Sequence, residues 1–346
     1  MDRAERVAML KREGRHRDAI PILSEWLDET EQDSLGVSSW PYQQLAIIHR
    51  KLRDPAREVE VLERFARQRH LPDARPLKLF QRLVRAYELQ GELEEGTLEG
   101  RPVPVHRSHG MPVDAVPSFR STGLVVDVET TGLSREDELI EFGGVLFSFS
   151  RLSGRVLSEL DRYQGMREPG RPIHPGAARA HGLTLDDLTG KALDHSRINA
   201  MISEAEVLIA HNASFDRRFI TPMFPSAGEK PWQCSMRGYP WTKRGYPSAK
   251  LDDILRVSGI ARRRSHRALD DAAALLTLLA RQNESSGRTY LAEVMSRPPL
   301  KAGASSGAAP GRPQKPASEK DTVGAGGCLM AVVVGVSILG ALAVLV

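Results

Sequence analysis

The chain contains few of the residues that mark secreted or disulfide-stapled proteins. Its 346 residues include two cysteines, Cys234 and Cys328, which lack metal-ligand spacing and are too few for a disulfide framework. The first 18 residues are highly charged rather than apolar, so we expect no cleaved secretory signal. These features predict that the soluble part of the chain faces a reducing cytosol.

A large excess of either charge is also absent. Lys and Arg number 48 against 44 Asp and Glu, which gives a formal net charge of +4. This balance is compatible with binding a polyanion but does not require it. The length is sufficient for two domains.

What the sequence does contain is a set of acidic residues inside apolar segments. Asp127 and Glu129 interrupt a β-branched run, within 124–133, that predicts a short buried strand. Because side chains alternate between the two faces of a strand, these two carboxylates are expected to share one face.

Two further carboxylates lie on the apolar faces of predicted helices. Asp216 follows Ser214, a predicted helix N-cap, and shares its face with apolar residues three, four and seven positions later. Of the neighbours Asp270 and Asp271, only Asp271 shares a face with leucines. We therefore expect Asp271 to point inward and Asp270 to be solvated.

Ionised carboxylates in an apolar environment need a compensating charge. We expect no Lys or Arg on these faces, which leaves a bound divalent cation. Oxygen ligands without Cys favour Mg²⁺ or Mn²⁺ over zinc. Two such ions roughly 3.5–4 Å apart can stabilise both the attacking and the leaving oxygen of a phosphodiester during displacement. The four carboxylates therefore predict metal-dependent phosphodiester hydrolysis.

This chemistry also needs a group that takes a proton from the attacking water. His266, five residues before Asp271, is suited to that role because an unperturbed imidazole has a pKa of about 6.5. An ordinary loop histidine is the alternative. The arginines at 262, 263 and 264 precede it, and Arg264 is expected to contact phosphate because guanidinium matches phosphate oxygens. A solvated charge run is the alternative for this segment.

Four segments in this order resemble a known family. They are DVETTGL at 127–133, EFGGV at 141–145, HNASFD at 211–216 and HRALDD at 266–271. Together they resemble the DEDD-type 3′→5′ exonuclease family, in the subclass with a histidine five residues before the last Asp. That group includes the polymerase III epsilon proofreading subunit, RNase T and the three-prime repair exonucleases. The resemblance spans about residues 121–280.

The resemblance implies an α/β fold of the ribonuclease-H-like type, a mixed five-stranded sheet with flanking helices. It also implies removal of nucleotides from 3′ ends with two Mg²⁺ or Mn²⁺ ions as cofactors. The implied metal ligands are Asp127, Glu129, Asp216 and Asp271, and the implied general base is His266. The residues expected to bind the terminal nucleotide are Thr130, Thr131, Gly132, Leu133, His211, Asn212 and Phe215. A packed structural role is the alternative for His211.

The remaining chain divides by composition. Residues 1–98 have helical spacing and predict a small all-α domain that resembles degenerate tetratricopeptide repeats, with a possible protein partner; a helical cap without a partner is the alternative. Residues 99–119 predict a linker, and 120–284 the exonuclease domain. Residues 285–321 predict a flexible linker, because the stretch 301–321 is rich in Ala, Gly, Ser, Pro and Lys.

The C-terminal stretch 322–346 contains no charged residue. As a helix, residues 328–346 would span roughly 28 Å, near the hydrocarbon thickness of a bilayer. This predicts a single-pass transmembrane tail anchor with the catalytic domain in the cytoplasm. A buried core helix is the alternative.

We therefore expect a membrane-tethered, metal-dependent 3′→5′ exonuclease that acts on single-stranded or frayed ends, favours DNA and releases nucleoside 5′-monophosphates. One alternative is an RNA-trimming exoribonuclease of the RNase T or oligoribonuclease kind. Another is a non-catalytic, membrane-tethered scaffold that binds nucleic acid. A role in proofreading beside a polymerase is a third. The sequence predicts no oligomeric state.

Overall fold

The computed structural model describes residues 1–33, 36–68, 70, 76–263 and 266–300, and its N-terminal part is helical. Asp2 caps the first helix in a reciprocal capping box with Glu5, and Pro55 begins the fourth helix after its cap Asp54. Each helix packs against the next along the chain. The helices are α1 (Arg3–Arg12), α2 (His16–Thr30), α3 (Ser39–Lys51), α4 (Pro55–Arg67) and α5 (Pro76–Leu89).

A small antiparallel sheet follows these helices. Its strands are β1 (Leu93–Leu98), β2 (Arg101–His106) and β3 (Met111–Pro112). Glu99 and Gly100 join β1 to β2 with φ angles of 51° and 75°, as expected for a two-residue hairpin turn with both central residues left-handed. Two 3-10 helices, Val113–Ala115 and Pro117–Phe119, lead to the next strand. Residues 99–119, predicted to be a linker, thus contain regular secondary structure.

The second part of the chain is built on a mixed five-stranded sheet in the order β6-β5-β4-β7-β8. Strands β4 and β5 pair antiparallel, as do β5 and β6, whereas β7 runs parallel to both β4 and β8. The strands are β4 (Arg120–Thr130), β5 (Leu139–Ser150), β6 (Val156–Met166), β7 (Val207–Ala210) and β8 (Trp232–Cys234). This arrangement fits the ribonuclease-H-like fold.

Helices cover both faces of this sheet, and a further 3-10 turn spans Thr242–Arg244. The helices are α6 (Pro175–His181), α7 (Leu185–Leu188), α8 (His195–Glu204), α9 (Ala213–Met223), α10 (Pro225–Glu229), α11 (Ser235–Gly238), α12 (Leu251–Val257), α13 (Ala268–Ala280) and α14 (Tyr290–Met295). Leu124 and Val126 pack into the core with α8 and α9, whereas Val125 packs with α12 and α13. Asp127 and Glu129 continue the alternation of Val125, so they lie on the α13 face of β4.

The predicted C-terminal transmembrane helix requires a correction. In the part of the chain that the structure describes, no helix combines the length and the apolar character needed to cross a bilayer. The longest described helix, α2, has 15 residues and spans roughly 22 Å, short of the hydrocarbon thickness. This finding contradicts the predicted membrane anchor and the membrane localisation that depended on it. Residues 322–346, on which the prediction rested, lie outside the described residues.

Candidate active site

Residues far apart in the sequence meet at the end of the central strand β4. The ligand atoms of Glu129, His266 and Asp271 all lie within 4.8 Å of one another. Asp127 stands two residues before Glu129 on the same strand face, and Asp216 lies in the first turn of α9. Because β7 runs parallel to β4, the start of α9 comes to the same edge of the sheet as the end of β4. The fold therefore gathers the four predicted carboxylates in one region.

These carboxylates perturb one another electrostatically. Burial raises the pKa of Asp127 well above its ordinary value, and the neighbouring charges of Asp216, Glu129 and Asp271 raise it further. Burial, with Asp271 as the largest neighbouring charge, raises the pKa of Glu129 to about 8. Burial raises the pKa of Asp216, which is 3% exposed, to about 7. Strongly perturbed pKa values of this kind cluster at functional sites.

The donor set fits hard divalent cations. Among the described residues, no Lys or Arg forms an ion pair with Asp127, Glu129 or Asp216, and the charge of Arg267, which lowers the pKa of Glu129, does not offset the effect of burial. The candidate ligand atoms are carboxylate oxygens, which suit Mg²⁺ or Mn²⁺, and the His266 imidazole stands beside them. Cys234 is buried and its thiol donates to the His211 carbonyl, so it belongs to the core rather than to this cluster.

Asp271 differs from the other three carboxylates, and the prediction that no arginine lies near it is wrong. The residue is 5% exposed, and the Arg262 guanidinium donates from Nη1 to Asp271 Oδ1 at 2.5 Å. Burial raises the pKa of Asp271, and the Arg262 charge acts in the opposite direction. The second guanidinium nitrogen binds Asp252. Arg264, the predicted phosphate ligand, lies outside the described residues.

His266 lies at the mouth of this cluster, just before α13. Its φ angle of 54° places a residue other than glycine in the left-handed region, a conformation that commonly marks functional positions. The imidazole is partly exposed, and its Nε2 lies 3.7 Å from Asp252 Oδ2. A partly exposed imidazole next to carboxylates is suited to exchanging a proton with a bound water.

One fully buried acid near the site was not predicted from the sequence. Glu141 on β5 pairs across the strands with Glu129, and its carboxylate accepts from Gln164 Nε2 at 2.6 Å. The Arg267 guanidinium donates to it from Nη2, also at 2.6 Å, and the Ala268 backbone N–H donates at 3.2 Å. Its signal in the sequence is a lone glutamate in the apolar run of β5.

These contacts fix the start of α13. The helix has no side-chain cap of its own, because Arg267 stands at its N-cap position. Glu141 supplies a carboxylate there, which also suits the positive end of the helix dipole. At Gly143, an added Cβ would lie only 2.2 Å from backbone atoms of Ala268 and Leu269, so β5 and α13 touch through their backbones. The strand thereby holds the helix that carries Asp271.

The predicted nucleotide-binding turn after β4 is held by internal hydrogen bonds. The Thr130 hydroxyl donates to the Gly132 carbonyl at 2.6 Å, and the Thr131 hydroxyl donates to Asp137 Oδ1 at 2.9 Å. An added Cβ on Gly132 would lie 2.5 Å from the same Asp137 carboxylate, which accounts for the glycine. Leu133 at the tip is 78% exposed. The apolar side chain of Leu133 is therefore accessible from outside the protein.

The start of α9 contributes an aromatic surface beside this turn. The helix begins at Ala213 with Asn212 at its N-cap, rather than with the predicted cap at Ser214. The Arg218 guanidinium lies 5.4 Å from the centre of the Phe215 ring and donates to the Leu133 carbonyl at 2.9 Å. Arg218 therefore joins the turn to the helix.

His211 is enclosed by the protein. Its Nε2 donates to the Ala249 carbonyl at 2.7 Å, and its Nδ1 lies 2.8 Å from the Ser235 hydroxyl. Burial lowers its pKa, which favours the neutral ring. Both ring nitrogens are therefore engaged within the fold, so the imidazole can contact a nucleotide only through its carbon edge.

A polar cleft of about 400 Å³ adjoins the buried Glu141–Arg267 pair. It contains both signs of charge, with Lys191 and Arg267 opposite Asp187. The cleft is lined by Met166, His181, Gly182, Leu183, Asp187, Lys191 and Arg267.

Comparisons with known proteins agree with this geometry. Residues 124–279 match the model of the exonuclease family. The chain is 29% identical over 193 residues to the PolC-type DNA polymerase III of Thermotoga petrophila, a match that covers 50% of this chain and 13% of the polymerase. It is 29% identical over 187 residues to the PolC-type DNA polymerase III of Listeria monocytogenes, covering 51% of this chain and 12% of the polymerase. The chain thus spans only a small part of the length of these relatives.

A solved structure of Exonuclease X in complex with 5′-overhanging duplex DNA is also similar. The identity is 26%, the TM-score is 0.36, and the match covers 50% of this chain and 97% of that chain. The family match covers the segments that carry the four carboxylates and His266. Residues 124–279 of this chain therefore belong to the exonuclease family, in its DEDD-type 3′→5′ class.

Proposed function

We propose that the chain is a divalent-metal-dependent 3′→5′ exonuclease that hydrolyses the terminal phosphodiester bond and releases nucleoside 5′-monophosphates. The observation that carries this proposal is the meeting of Glu129, His266 and Asp271 within 4.8 Å, beside Asp127 and Asp216. In this proposal residues 120–284 form the catalytic part and residues 1–98 a helical accessory part.

The proposed reaction assigns separate tasks to the side chains. Asp127, Glu129, Asp216 and Asp271 would hold the cations, which when bound stabilise negative charge on the phosphate and lower the pKa of a bound water. His266 accepts the proton of the attacking water. The new bond joins the water oxygen to the phosphorus of the last nucleotide. The bond from that phosphorus to the 3′-oxygen of the preceding nucleotide breaks, which leaves a new 3′ end.

The turn and the helix beside the cluster are proposed to bind the terminal nucleotide. Leu133 exposes an apolar side chain at the tip of the turn, and Phe215 lies on the adjoining start of α9. Thr130, Thr131 and Gly132 shape the turn, and Asn212 stands at the N-cap of α9. Because bases must leave a duplex to reach such a surface, single-stranded or frayed ends are the proposed substrates. DNA is favoured because the curated relatives are DNA polymerases.

Labelled oligonucleotides test this proposal directly. With Mg²⁺ or Mn²⁺, the purified chain should release labelled mononucleotide at once from a 3′-labelled strand and produce a ladder from a 5′-labelled strand. Chelator should stop both reactions. Asp127→Ala and Asp271→Ala should abolish cleavage, whereas Asp270→Ala, which changes the neighbouring acid outside the cluster, should retain it. Undiminished cleavage by both site variants would refute the assignment, and binding without cleavage by the parent would favour the scaffold.

The base and the substrate class need separate tests. His266→Ala should slow cleavage by roughly 10²–10⁴-fold while metal binding persists. An unchanged rate would exclude His266 as the base. Matched single-stranded and duplex DNA and RNA, digested in parallel, should rank single-stranded DNA first. A preference for RNA would instead support the exoribonuclease alternative, since the 2′-hydroxyl is the group that separates the two substrates.

A further inference from the structure

We propose that Arg262 competes with the divalent cation for Asp271 and thereby sets the metal affinity of the active site. This inference rests on the proposed function, because it takes Asp271 to be a metal ligand. Arg262 is 90% buried as a side chain, with 10% exposed, and its guanidinium binds Asp271 and Asp252 at the same time.

The competition follows from the position of the guanidinium. Asp271 offers a carboxylate oxygen within 4.8 Å of ligand atoms of both Glu129 and His266, and Arg262 donates to Oδ1 of that carboxylate. A guanidinium is a permanent cation, and a second cation on the same carboxylate experiences strong repulsion where water is largely excluded. A cation therefore binds Asp271 more weakly while Arg262 remains in place. Full engagement of the metal requires Arg262 to withdraw.

The structure also provides a place for Arg262 to withdraw to. Asp252 lies at the start of α12, is largely exposed and already binds the second guanidinium nitrogen. Arg262 can therefore leave Asp271 and keep one ion pair. The same Asp252 carboxylate lies 3.7 Å from Nε2 of His266. Withdrawal of Arg262 therefore changes the charges that surround the proposed base. Metal binding and the surroundings of His266 are coupled through this one carboxylate.

The opposite role would be that of a structural ion pair that holds Asp271 ready for the metal. The two roles predict opposite signs. If Arg262 positions Asp271 for the cation, its removal should weaken metal binding, as loss of a supporting contact usually does. If Arg262 competes with the cation, its removal should strengthen metal binding although it destabilises the protein in chelator.

Mn²⁺ titration without nucleic acid distinguishes the two roles. The full chain, Arg262→Gln and the volume-matched Arg262→Met are titrated by calorimetry, and Tm is measured in chelator. We expect Mn²⁺ to bind roughly 10-fold or more tightly in both Arg262 variants, within the range known for residues next to metal ligands. Arg263→Gln is the matched control. It removes the same charge one residue away, from a side chain that is exposed and forms no ion pair with any described residue, and its Mn²⁺ affinity should equal that of the parent.

Each remaining outcome overturns the competition. Equal or weaker Mn²⁺ binding by a folded Arg262 variant would contradict it. Failure of both Arg262 variants to fold, with Arg263→Gln folded, would assign Arg262 a purely structural role. Asp271→Asn separates this inference from the proposed function. Equal Mn²⁺ binding by the parent and Asp271→Asn would refute the metal site itself. If Asp271→Asn binds Mn²⁺ more weakly than the parent but Arg262→Gln does not bind it more tightly, only the competition is refuted.

Discussion

Two buried carboxylates, one in each half of the chain, differ in whether arginine side chains pair with them. Glu58 on α4 is buried, and it accepts from Arg50 Nε at 2.7 Å and from Arg82 Nε at 2.9 Å. Asp216 on α9 is equally buried, yet no Lys or Arg among the described residues forms an ion pair with it. Burial of a charge is costly unless another charge compensates it. Where the chain supplies the cation, the acid stabilises the fold; where it does not, an external cation is expected.

The largest test of this comparison is the substitution Asp216→Asn. Exonuclease activity should fall by roughly 10²–10³-fold or more, because a charged group that supports the transition state is removed. The Tm in chelator should rise, because an uncompensated buried charge disappears. Rate measurements and thermal unfolding on the same preparation check the expected fall in activity and the expected rise in Tm. A fall in Tm together with retained activity would place Asp216 in the same group as Glu58.

The pH dependence of stability is the next largest effect. In the folded state the pKa of Glu129 is about 8 and that of Asp216 about 7, against ordinary values of 4.5 and 3.8. Folded-state pKa values above the unfolded ones mean that the folded state binds these protons more tightly. The resulting stabilisation is complete below about pH 4 and is lost as the pH rises through 7 and 8. Each unit between the two pKa values corresponds to about 1.4 kcal/mol.

Thermal unfolding in chelator between pH 6.5 and 8.5 measures this loss. Below that range the partly buried His70, whose pKa is lowered to about 4 by desolvation, acts in the opposite direction, because its stabilisation is lost as the pH falls. Above pH 6.5 the Tm should decrease, and saturating Mn²⁺ should restore it most at the alkaline end. Asp216→Asn should flatten the profile near pH 7. A parent Tm that rises across this range in chelator would contradict the assigned shifts.

Sequence patterns were sufficient to identify the inward-facing acids of the candidate site. Alternation along β4 places Asp127 and Glu129 on one face, and helical spacing separates Asp271 from Asp270, since Asp271 is buried and Asp270 partly exposed. Local periodicity decides these positions, so they can be read without knowledge of the fold. The mixed five-stranded sheet followed from the resemblance of four short segments rather than from periodicity.

Contacts between distant segments were beyond such patterns. The Glu141–Arg267 pair joins residues 126 positions apart, and its register depends on how α13 lies across β5. The contact of Arg262 with Asp271 depends in the same way on a loop path that no local rule specifies. Strand β2 was assigned to a linker because Pro and Gly outweighed its weak alternation, and β1 was assigned to the all-α domain. Sequence patterns thus identified the acids that face inward more readily than the arginines that pair with buried acids.

The third test removes the arginine that pairs with a buried acid, so that the acid loses its compensating charge. Arg267→Gln leaves the fully buried Glu141 with only Gln164 and the Ala268 N–H as donors. The free energy of unfolding should fall by about 3 kcal/mol, the lower end for breaking a buried pair, since two donors remain. Activity should fall as well, because the start of α13 loses its anchor. Denaturant unfolding checks the stability, with the exposed Arg263→Gln as a control expected to stay within about 0.5 kcal/mol of the parent. An unchanged unfolding free energy would mean that Glu141 needs no cation.

The smallest expected effect belongs to the helical half. Glu58→Gln should lower the free energy of unfolding by about 1–3 kcal/mol, because it removes the charge but keeps one acceptor, and Arg50 and Arg82 can turn toward water. Cleavage rate per folded molecule should stay the same, which is the reverse of the Asp216→Asn result. Denaturant unfolding and initial rates measure both quantities. Glu60→Gln, which breaks only an exposed pair with Arg57, should change stability by less than about 0.5 kcal/mol. A Glu58 variant with native stability and lost activity would mean that an acid paired with arginines can also belong to the catalytic machinery. Pairing with arginine would then no longer separate structural acids from catalytic ones.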